Sequence, residues 1–295
     1  MTTRLRAIAA LLLVGALAGT AVVRARPASS TLVVALKPDK DPERMLGERG
    51  ALAGFLGETL GREVEVIVPL SAAVILEGLA GGSIDLAYLS ATEMLAAREA
   101  GSAEILLAGE IAGQPYYMSY WVALEDEPYT SVEDLRGRPV AFASRTSTSG
   151  YLIPHADLVR KGLLEPGADP EEFFGEGHVF YGTGYVSAVE RVLSGRAEAA
   201  AVSYYVLDEG EHLSAAQRQR LKKVAEQGPV PTHVIAVRRT LPAAEKARLK
   251  TALEALNDPT RTALRDRVFT SKLVSVDEAR HLSSLDESMR LTGKR

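Results

Sequence analysis

The sequence predicts an α/β protein of two lobes, in which each lobe is a mostly parallel sheet flanked by helices and two crossing strands join the lobes. Short apolar segments rich in β-branched residues alternate with segments whose apolar residues recur at helical spacing, as in βαβ units. Two longer β-type runs, at 116–124 and 230–239, flank a self-contained βα block. A chain of 295 residues accommodates two domains, because domains of roughly 100–200 residues are typical.

Three strand–helix pairs open the first lobe. Each predicted strand is short and apolar, as expected of a strand that is buried on both faces. Gly61 and the pair Gly81-Gly82 are typical signals for the end of a helix. The predicted strands are 31–36, 64–68 and 84–89, and the predicted helices are 52–60, 72–79 and 91–100.

The remaining elements define where one lobe is inserted into the other. Further strands are predicted at 116–124, 140–143, 178–181, 197–202 and 234–237, with helices at 151–161 and 187–193, a helical stripe around Leu249–Leu256, and a partly helical end after 271. We therefore expect residues 31–118 and 231–295 to form the first lobe and the inserted residues 119–230 to form the second. The crevice between two such lobes is a natural ligand site.

The first thirty residues are separate from this fold. Arg4 and Arg6 precede an apolar run at 7–23, which is typical of a secretory signal. The run is at the low end of the ~17–25 residues that span a membrane, so a cleaved signal peptide and a retained anchor both stay open for residues 1–30. Either interpretation places the rest of the chain in the periplasm or outside the cytoplasmic membrane.

Composition and motifs argue against an enzyme. The sequence contains no cysteine, which excludes disulfides, thiolate catalysis and cysteine metal sites. The five histidines show no metal-ligand spacing, and the nucleophile elbow and the P-loop are absent. With a formal net charge of -4, general attraction to nucleic acid is not expected. We predict no catalysis, no cofactor, no metal and no nucleic-acid partner.

A cluster of hydroxyl residues follows the strand at 140–143 and precedes a helix. The first backbone N–H groups of a helix lack partners within it, and the helix dipole is positive there, so an anion is favoured. Hydroxyls can donate to an ionised oxygen and accept from a protonated one, which suits a tetrahedral oxyanion. One such hydroxyl would be an ordinary helix cap, but here there are five: Ser144, Thr146, Ser147, Thr148 and Ser149.

The segment STSGYLIP at 147–154 is where a resemblance to a known family becomes specific. Together with SVEDLRGRPVAF at 131–142 and GSIDLA at 82–87, it resembles the substrate-binding proteins of phosphate, phosphite and phosphonate ABC transporters. The resemblance implies a type II periplasmic-binding-protein fold that closes on its ligand. It also implies that Ser147, Thr148 and Ser149 hold the phosphorus oxygens and that Tyr117 helps to close the site.

Three departures from that family bear on the ligand. Ala72 stands where relatives often have a tyrosine, and Glu198 replaces the usual aspartate. Tyr185 and Val186 occupy the place of a histidine–acid pair. Since the acid of that pair suits an ammonium group, its loss argues against 2-aminoethylphosphonate as the ligand.

Other candidate ligand residues have two interpretations each. Tyr185 would supply a phenol donor in place of the histidine, or else pack at a helix start. Ser90, at the end of the third strand, would donate from the first lobe or cap the next helix. Thr146 belongs to the hydroxyl cluster. The predicted ligand-binding residues are thus Ser147, Thr148, Ser149, Tyr117, Tyr185, Ser90 and Thr146.

The functional hypothesis is an exported receptor that captures a small phosphorus oxyanion and delivers it to the permease of an ABC importer. A monomer is expected. Two alternatives stay open: a sensor of the same fold held at the membrane by residues 1–30, and a receptor for another small oxyanion or a sulfonate.

Overall fold

The computed structural model describes residues 31–37, 42–210, 212–269 and 271–294. Within these ranges the chain forms two mixed sheets flanked by helices, which confirms the two-lobed α/β class. The predicted signal segment, residues 1–30, lies outside the described residues.

The strands, in chain order, are short except where the lobes connect. They are β1 Leu32–Ala35, β2 Val64–Ile67, β3 Leu86–Leu89, β4 Ala103–Glu110, β5 Tyr116–Leu124, β6 Val140–Phe142, β7 Val179–Tyr181, β8 Ala199–Ser203, β9 Leu221–Pro231, β10 Val234–Arg238 and β11 Lys272–Val274.

The helices cover the faces of the two sheets. They are α1 Pro42–Leu60, α2 Ala72–Gly81, α3 Ala91–Glu99, α4 Ile153–Arg160, α5 Glu171–Phe174, α6 Tyr185–Leu193, α7 Tyr204–Asp208, α8 Ala215–Arg218, α9 Ala243–Glu254, α10 Thr262–Phe269 and α11 Glu278–Leu291. Short 3-10 turns lie at Glu133–Leu135 and Ala255–Asn257, and a π-helix at Thr148–Leu152.

The first sheet has the strand order β11-β4-β10-β3-β1-β2, and the second has the order β7-β6-β8-β5-β9. The βαβ strands pair in parallel, β1 with β2 and β3, and β6 with β7 and β8. The strands that connect the lobes pair in antiparallel fashion, β10 with β3 and β4, and β5 with β8 and β9. Both sheets are therefore mixed, and the expectation of mostly parallel sheets was wrong, because β4, β5, β9, β10 and β11 add antiparallel pairs to the parallel βαβ strands.

The chain passes between the sheets twice. It leaves the first sheet after β4 and enters the second at β5, and it returns between β9 and β10. The first sheet thus draws on residues before and after the second. The lobe boundaries expected from the sequence, 31–118 with 231–295 and 119–230, stay a prediction.

The two faces of β1 show why its apolar run forms a buried central strand. Val33 and Ala35 pack into one core with helix α2, and Leu32 and Val34 pack into another with helix α1. Successive side chains of a strand point to opposite faces, so a strand covered on both sides must be apolar throughout. The second sheet has a further core between its strands and helix α6.

Asp85 shows what the GSIDLA segment contributes to the fold. This carboxylate is almost fully buried and accepts a hydrogen bond from the Val33 amide at 3.1 Å. Its other oxygen accepts from the Arg238 guanidinium at 2.8 and 3.2 Å. A buried charge needs such partners, and here they join β3 to β1 and β10.

Helix α11 packs against elements of both sheets. Leu282 and Leu285 belong to a core that also contains Leu158 of α4. The Leu291 carbonyl accepts a hydrogen bond from the Gly167 amide at 2.8 Å, and Asp286 pairs with Arg98 of α3 at 2.6 Å. Among the described residues, no helix is both long and apolar enough to cross a membrane.

Candidate functional site

A polar cleft of about 300 Å³ lies between the two sheets. Its walls are formed by residues that follow the carboxyl ends of β1, β3, β6, β7 and β8, where α/β sheets place their ligands. The residues predicted from the sequence all line this one cleft: Ser90, Tyr117, Thr146, Ser147, Thr148, Ser149 and Tyr185. Their part in binding a ligand is argued below as a proposal.

The hydroxyl cluster opens a helix that begins as a π-helix, Thr148–Leu152, and continues as α4. The Ser147 hydroxyl caps this helix by accepting a hydrogen bond from the Gly150 amide at 3.0 Å. Thr148 and Ser149 are buried, with exposed fractions of 7% and 0%. The wider first turn brings both hydroxyls and the first helical amides to the cleft, where an anion would meet several donors.

Gly150 is required by the close approach of two elements. A Cβ at this position would lie 2.4 Å from the Cβ of Ala143, which follows β6, and 2.8 Å from the Ser147 hydroxyl. Neither neighbour can move without displacing a strand or a helix cap. The glycine of the STSG segment therefore lets the helix start pack directly against the end of β6.

Two tyrosines meet the Ser149 hydroxyl. The Tyr185 and Ser149 oxygens are 2.6 Å apart, and the Tyr117 phenol donates to Ser149 at 3.3 Å. Burial raises the pKa of both phenols, which outweighs the opposing effect of the Ser149 hydrogen bonds. Both tyrosines are therefore neutral at physiological pH and keep their O–H groups, of which that of Tyr117 is directed to Ser149.

A buried polar chain lies behind Ser149. The Ser119 hydroxyl donates to the Ser149 carbonyl at 2.6 Å, and the Gln227 amide donates to the Ser119 hydroxyl at 2.7 Å. Ser119 on β5 and Gln227 on β9 are cross-strand neighbours, and both are almost completely buried. These bonds hold the start of the hydroxyl helix against the sheet. Sequence analysis included no role for either residue.

A hydroxyl pair connects the two lobes at the cleft. The Thr92 oxygen, on α3, lies 2.6 Å from the Thr148 oxygen of the π-helix. Thr148 thus lines the cleft and also forms one of the contacts between the second lobe and the first.

The first lobe contributes three residues that sequence analysis missed: Lys37, Glu93 and His233. The Lys37 ammonium lies 3.1 Å from Glu93 Oε2. Burial alone raises the pKa of the Glu93 carboxyl, but Lys37 and the Ser90 hydrogen bonds together lower it below its usual value. Burial, reinforced by the Lys37 charge, lowers the pKa of His233 to about 4. At neutral pH the cleft therefore holds one ion pair and one neutral imidazole.

Ser90 caps helix α3. Its hydroxyl accepts from the Glu93 amide at 3.4 Å, and Glu93 Oε2 accepts from the Ser90 amide at 2.7 Å. This reciprocal pair is a capping box. The S-x-x-E spacing was the available signal for Glu93, since it places the carboxylate at a helix start next to a strand end.

Other residues of the loop are engaged elsewhere. The Arg145 guanidinium stacks over the Tyr181 ring at 3.7 Å and does not line the cleft. The Thr146 and Ser144 oxygens are 3.4 Å apart. Tyr205 lines the cleft, and its ring packs edge-on against that of Tyr185. Among the described residues, no group of three histidine or carboxylate side chains is arranged to hold a metal ion.

Two α/β lobes that face each other across a polar cleft and are joined by two crossing connections are the architecture of the type II periplasmic binding proteins. The particular family follows from the sequence. The chain belongs to the family of periplasmic substrate-binding proteins of phosphonate ABC transporters, whose model matches residues 34–281. This is a transporter component rather than an enzyme family.

Individual relatives agree with this assignment. The phosphate-import protein PhnD of Mycolicibacterium smegmatis is 27% identical over 173 residues, which cover 57% of this chain and 54% of that protein. The chain thus matches about half the length of this curated relative.

Two solved structures share the fold. PhnD1 from Prochlorococcus marinus (MIT 9301), in complex with methylphosphonate, has a TM-score of 0.73 and 16% identity, covering 90% of this chain and 99% of that one. XAC2383 from Xanthomonas citri, bound to ATP, has a TM-score of 0.73 and 23% identity with the same coverage. Their ligands differ, so the fold alone does not name a ligand.

Proposed function

We propose that this chain captures a small phosphorus oxyanion, such as phosphate, phosphite or a phosphonate, outside the cytoplasm and presents it to the permease of an ABC importer. The observation that carries the proposal is the convergence of the helix start at 147–149 with the hydroxyls and phenols of one cleft. Family membership supports it.

The geometry favours an oxyanion because the cleft is rich in donors and poor in net charge. Ser147, Thr148 and Ser149 would hold the phosphorus oxygens together with the first helical amides. The neutral phenol of Tyr185 would add a donor, Tyr117 would hold the Ser149 hydroxyl towards the ligand, and Ser90 and Thr146 would complete the wall. Hydrogen bonds to a charged oxygen are worth about twice those between neutral groups.

Capture follows from closure of the lobes. Residues 31–118 with 231–295 and residues 119–230 would form the two lobes that rotate about the crossings. Closure excludes water and strengthens the hydrogen bonds to the ligand. The Thr92–Thr148 contact already joins the lobes. We further propose that the protein works as a monomer, without catalysis or cofactor.

Isothermal titration calorimetry of the purified chain with phosphate, phosphite and methylphosphonate tests this function. Saturable one-to-one binding of at least one of them is expected. Thr148→Ala should weaken that binding by about 1.5–3 kcal/mol, the value of a hydrogen bond to a charged group. Thr59→Ala on α1, whose hydroxyl bonds only its own helix, is the matched control. Absence of binding to every oxyanion would contradict the proposal.

A further inference from the structure

We propose that the cleft selects an oxyanion that is protonated and carries a single negative charge, and that Glu93 enforces this selection. The inference rests on the proposed function of this same site. It goes further, because it names the protonation state of the ligand and assigns a role to a first-lobe residue.

The charged side chains that line the cleft sum to zero net charge. Lys37, after β1, and Glu93, on α3, form an ion pair at 3.1 Å. His233, between β9 and β10, is neutral above its pKa of about 4. The only titratable side chains that line the cleft from the second sheet and its helices are phenols, those of Tyr117 on β5, Tyr185 on α6 and Tyr205 on α7. Among the described residues that line the cleft, no side chain is left to neutralise a ligand's charge.

This balance penalises a second negative charge on the ligand. The cost of removing an ion from water is large and rises steeply with its charge. Amides and hydroxyls can compensate one negative charge by hydrogen bonding. A second charge would need a free cation, but the ammonium of Lys37 is engaged by Glu93, whose own charge repels a dianion.

Glu93 also offers a specific acceptor. Both of its contacts, from the Ser90 amide and from Lys37, are made through Oε2. Glu93 lines the cleft, and we take Oε1 as the oxygen that would accept from the ligand. An ionised carboxylate can only accept hydrogen bonds. A P–OH group on the ligand supplies the matching donor. Sulfate carries no proton at neutral pH and would place two acceptors against each other.

Calorimetry of the full chain with inorganic phosphate and with sulfate tests the selection. Titrations from about pH 5.5 to about pH 8.5 cross the second ionisation of inorganic phosphate, which lies near pH 7, about one unit above that of phosphoesters. At pH values above this pKa, the phosphate affinity should fall by about tenfold per pH unit, because the monoanion that the cleft binds is depleted. Sulfate should bind at least about a hundredfold more weakly than phosphate, since an unmatched polar group commonly costs that much in discrimination.

Glu93→Gln tests the residue itself. Glutamine can keep the capping box with Ser90, since Gln is accepted at this position, while the carboxylate charge is lost. The ratio of phosphate to sulfate affinity should fall by about tenfold. One nearby charge shifts a pKa by about one to three units, and a tenfold change corresponds to the smallest of these shifts. Glu110→Gln removes the same charge from an exposed pair with Lys272 outside the cleft and should leave the ratio unchanged.

The outcomes separate this inference from the proposed function. If phosphate binds but its affinity is constant or rises with pH, or if sulfate binds within about threefold of phosphate, the protonated monoanion is not selected. An unchanged ratio of phosphate to sulfate affinity in Glu93→Gln would show that Glu93 does not determine the selection. If no oxyanion binds at any pH, the proposed function itself fails. The pH profile of the unmodified chain gives its answer even if the variant does not fold.

Discussion

The hydroxyl oxygens of Thr92 and Thr148 lie 2.6 Å apart, one on each lobe. Thr148 stands at the start of the π-helix that lines the cleft, so the contact between the lobes and the wall of the site share one side chain. A ligand that bonds Thr148 therefore acts directly on one of the residues that join the lobes.

The first prediction concerns this contact. Thr92→Val keeps the side-chain shape and removes the hydroxyl, so the lobes lose a hydrogen bond worth about 0.5–1.5 kcal/mol. The closed state should become less populated, and oxyanion affinity in calorimetry should fall by about two- to tenfold. Thr59→Val is the control on the remote helix α1. Equal affinity of Thr92→Val and the unmodified chain would show that the contact does not favour closure.

The second prediction concerns the phenol of Tyr185. Tyr185→Phe removes a neutral donor at 2.6 Å from Ser149 but keeps the ring that packs on Tyr205. If the phenol donates to a charged oxygen, affinity should fall by about 1.5–3 kcal/mol. Tyr204→Phe, whose hydroxyl bonds Glu209, should change affinity far less. Identical calorimetric affinities for the two variants would place Tyr185 among the packing residues.

The third prediction concerns the polar chain behind Ser149. Ser119→Ala leaves the Gln227 amide and the Ser149 carbonyl without the partner they share. Since unsatisfied buried groups cost about 1–3 kcal/mol each, urea unfolding should show a loss of this order, and calorimetry a weaker affinity. A loss of stability with full affinity retained would mean that the chain supports the fold without positioning the hydroxyl helix.

The fourth prediction concerns Gly150. Gly150→Ala forces a methyl group to 2.4 Å from Ala143, and overpacking of this kind costs about 1–3 kcal/mol. Both stability and oxyanion affinity should fall. In Gly54→Ala, on an open stretch of α1 where the methyl meets nothing within 4 Å, stability should rise by about 0.5–1 kcal/mol because helix entropy improves. A change in the free energy of unfolding that has the same sign in both variants, measured by urea unfolding, would contradict this account.

The fifth prediction concerns pH. The pKa of His233 is lowered to about 4 in the folded protein, against ~6.5 in an unfolded chain. Between these values the unfolded chain binds the extra proton, so stability is fully present above about pH 6.5 and is lost as the pH falls towards 4. The loss should reach roughly 2–3 kcal/mol. His233→Gln should flatten this part of the urea-unfolding profile. His155 and His281, whose pKa values are also lowered by burial, should maintain a residual slope.

Features encoded by neighbouring residues were the most predictable from the sequence. A strand, a run of hydroxyls and a helix follow each other directly at 140–160, and the sequence pattern shows each of them. The predicted strand at 116–124 matches β5 residue for residue. The seven predicted residues line one cleft. Most of them stand next to a strand end or at a helix start, positions that sequence patterns mark well.

Strand β4, Ala103–Glu110, was not predicted. Its side chains are buried irregularly, with neither strict alternation nor a wholly apolar run. The periodicity of apolar residues therefore does not reveal this strand. The prediction of 234–237 as the last strand was also incomplete, because β11 follows at Lys272–Val274. This short strand exists through its pairing with β4, a contact between distant parts of the chain.

The first-lobe side of the cleft was missed for a similar reason. Lys37, Glu93 and His233 are far apart in sequence, and each alone resembles an ordinary surface or core residue. Their proximity depends on the order of the first sheet, where β10 lies next to β3 and β3 next to β1. That order cannot be deduced from the local pattern of any one element.

The position of β10 also constrains the order in which the protein can fold. This strand lies between β3 and β4, yet it is synthesised only after the whole second lobe. During synthesis, β1 to β4 are therefore complete before β10, the strand that lies between β3 and β4, has been made. Residues 116–231, in contrast, already contain every strand of their own sheet. The inserted lobe can thus fold first and act as the platform on which the discontinuous lobe is completed.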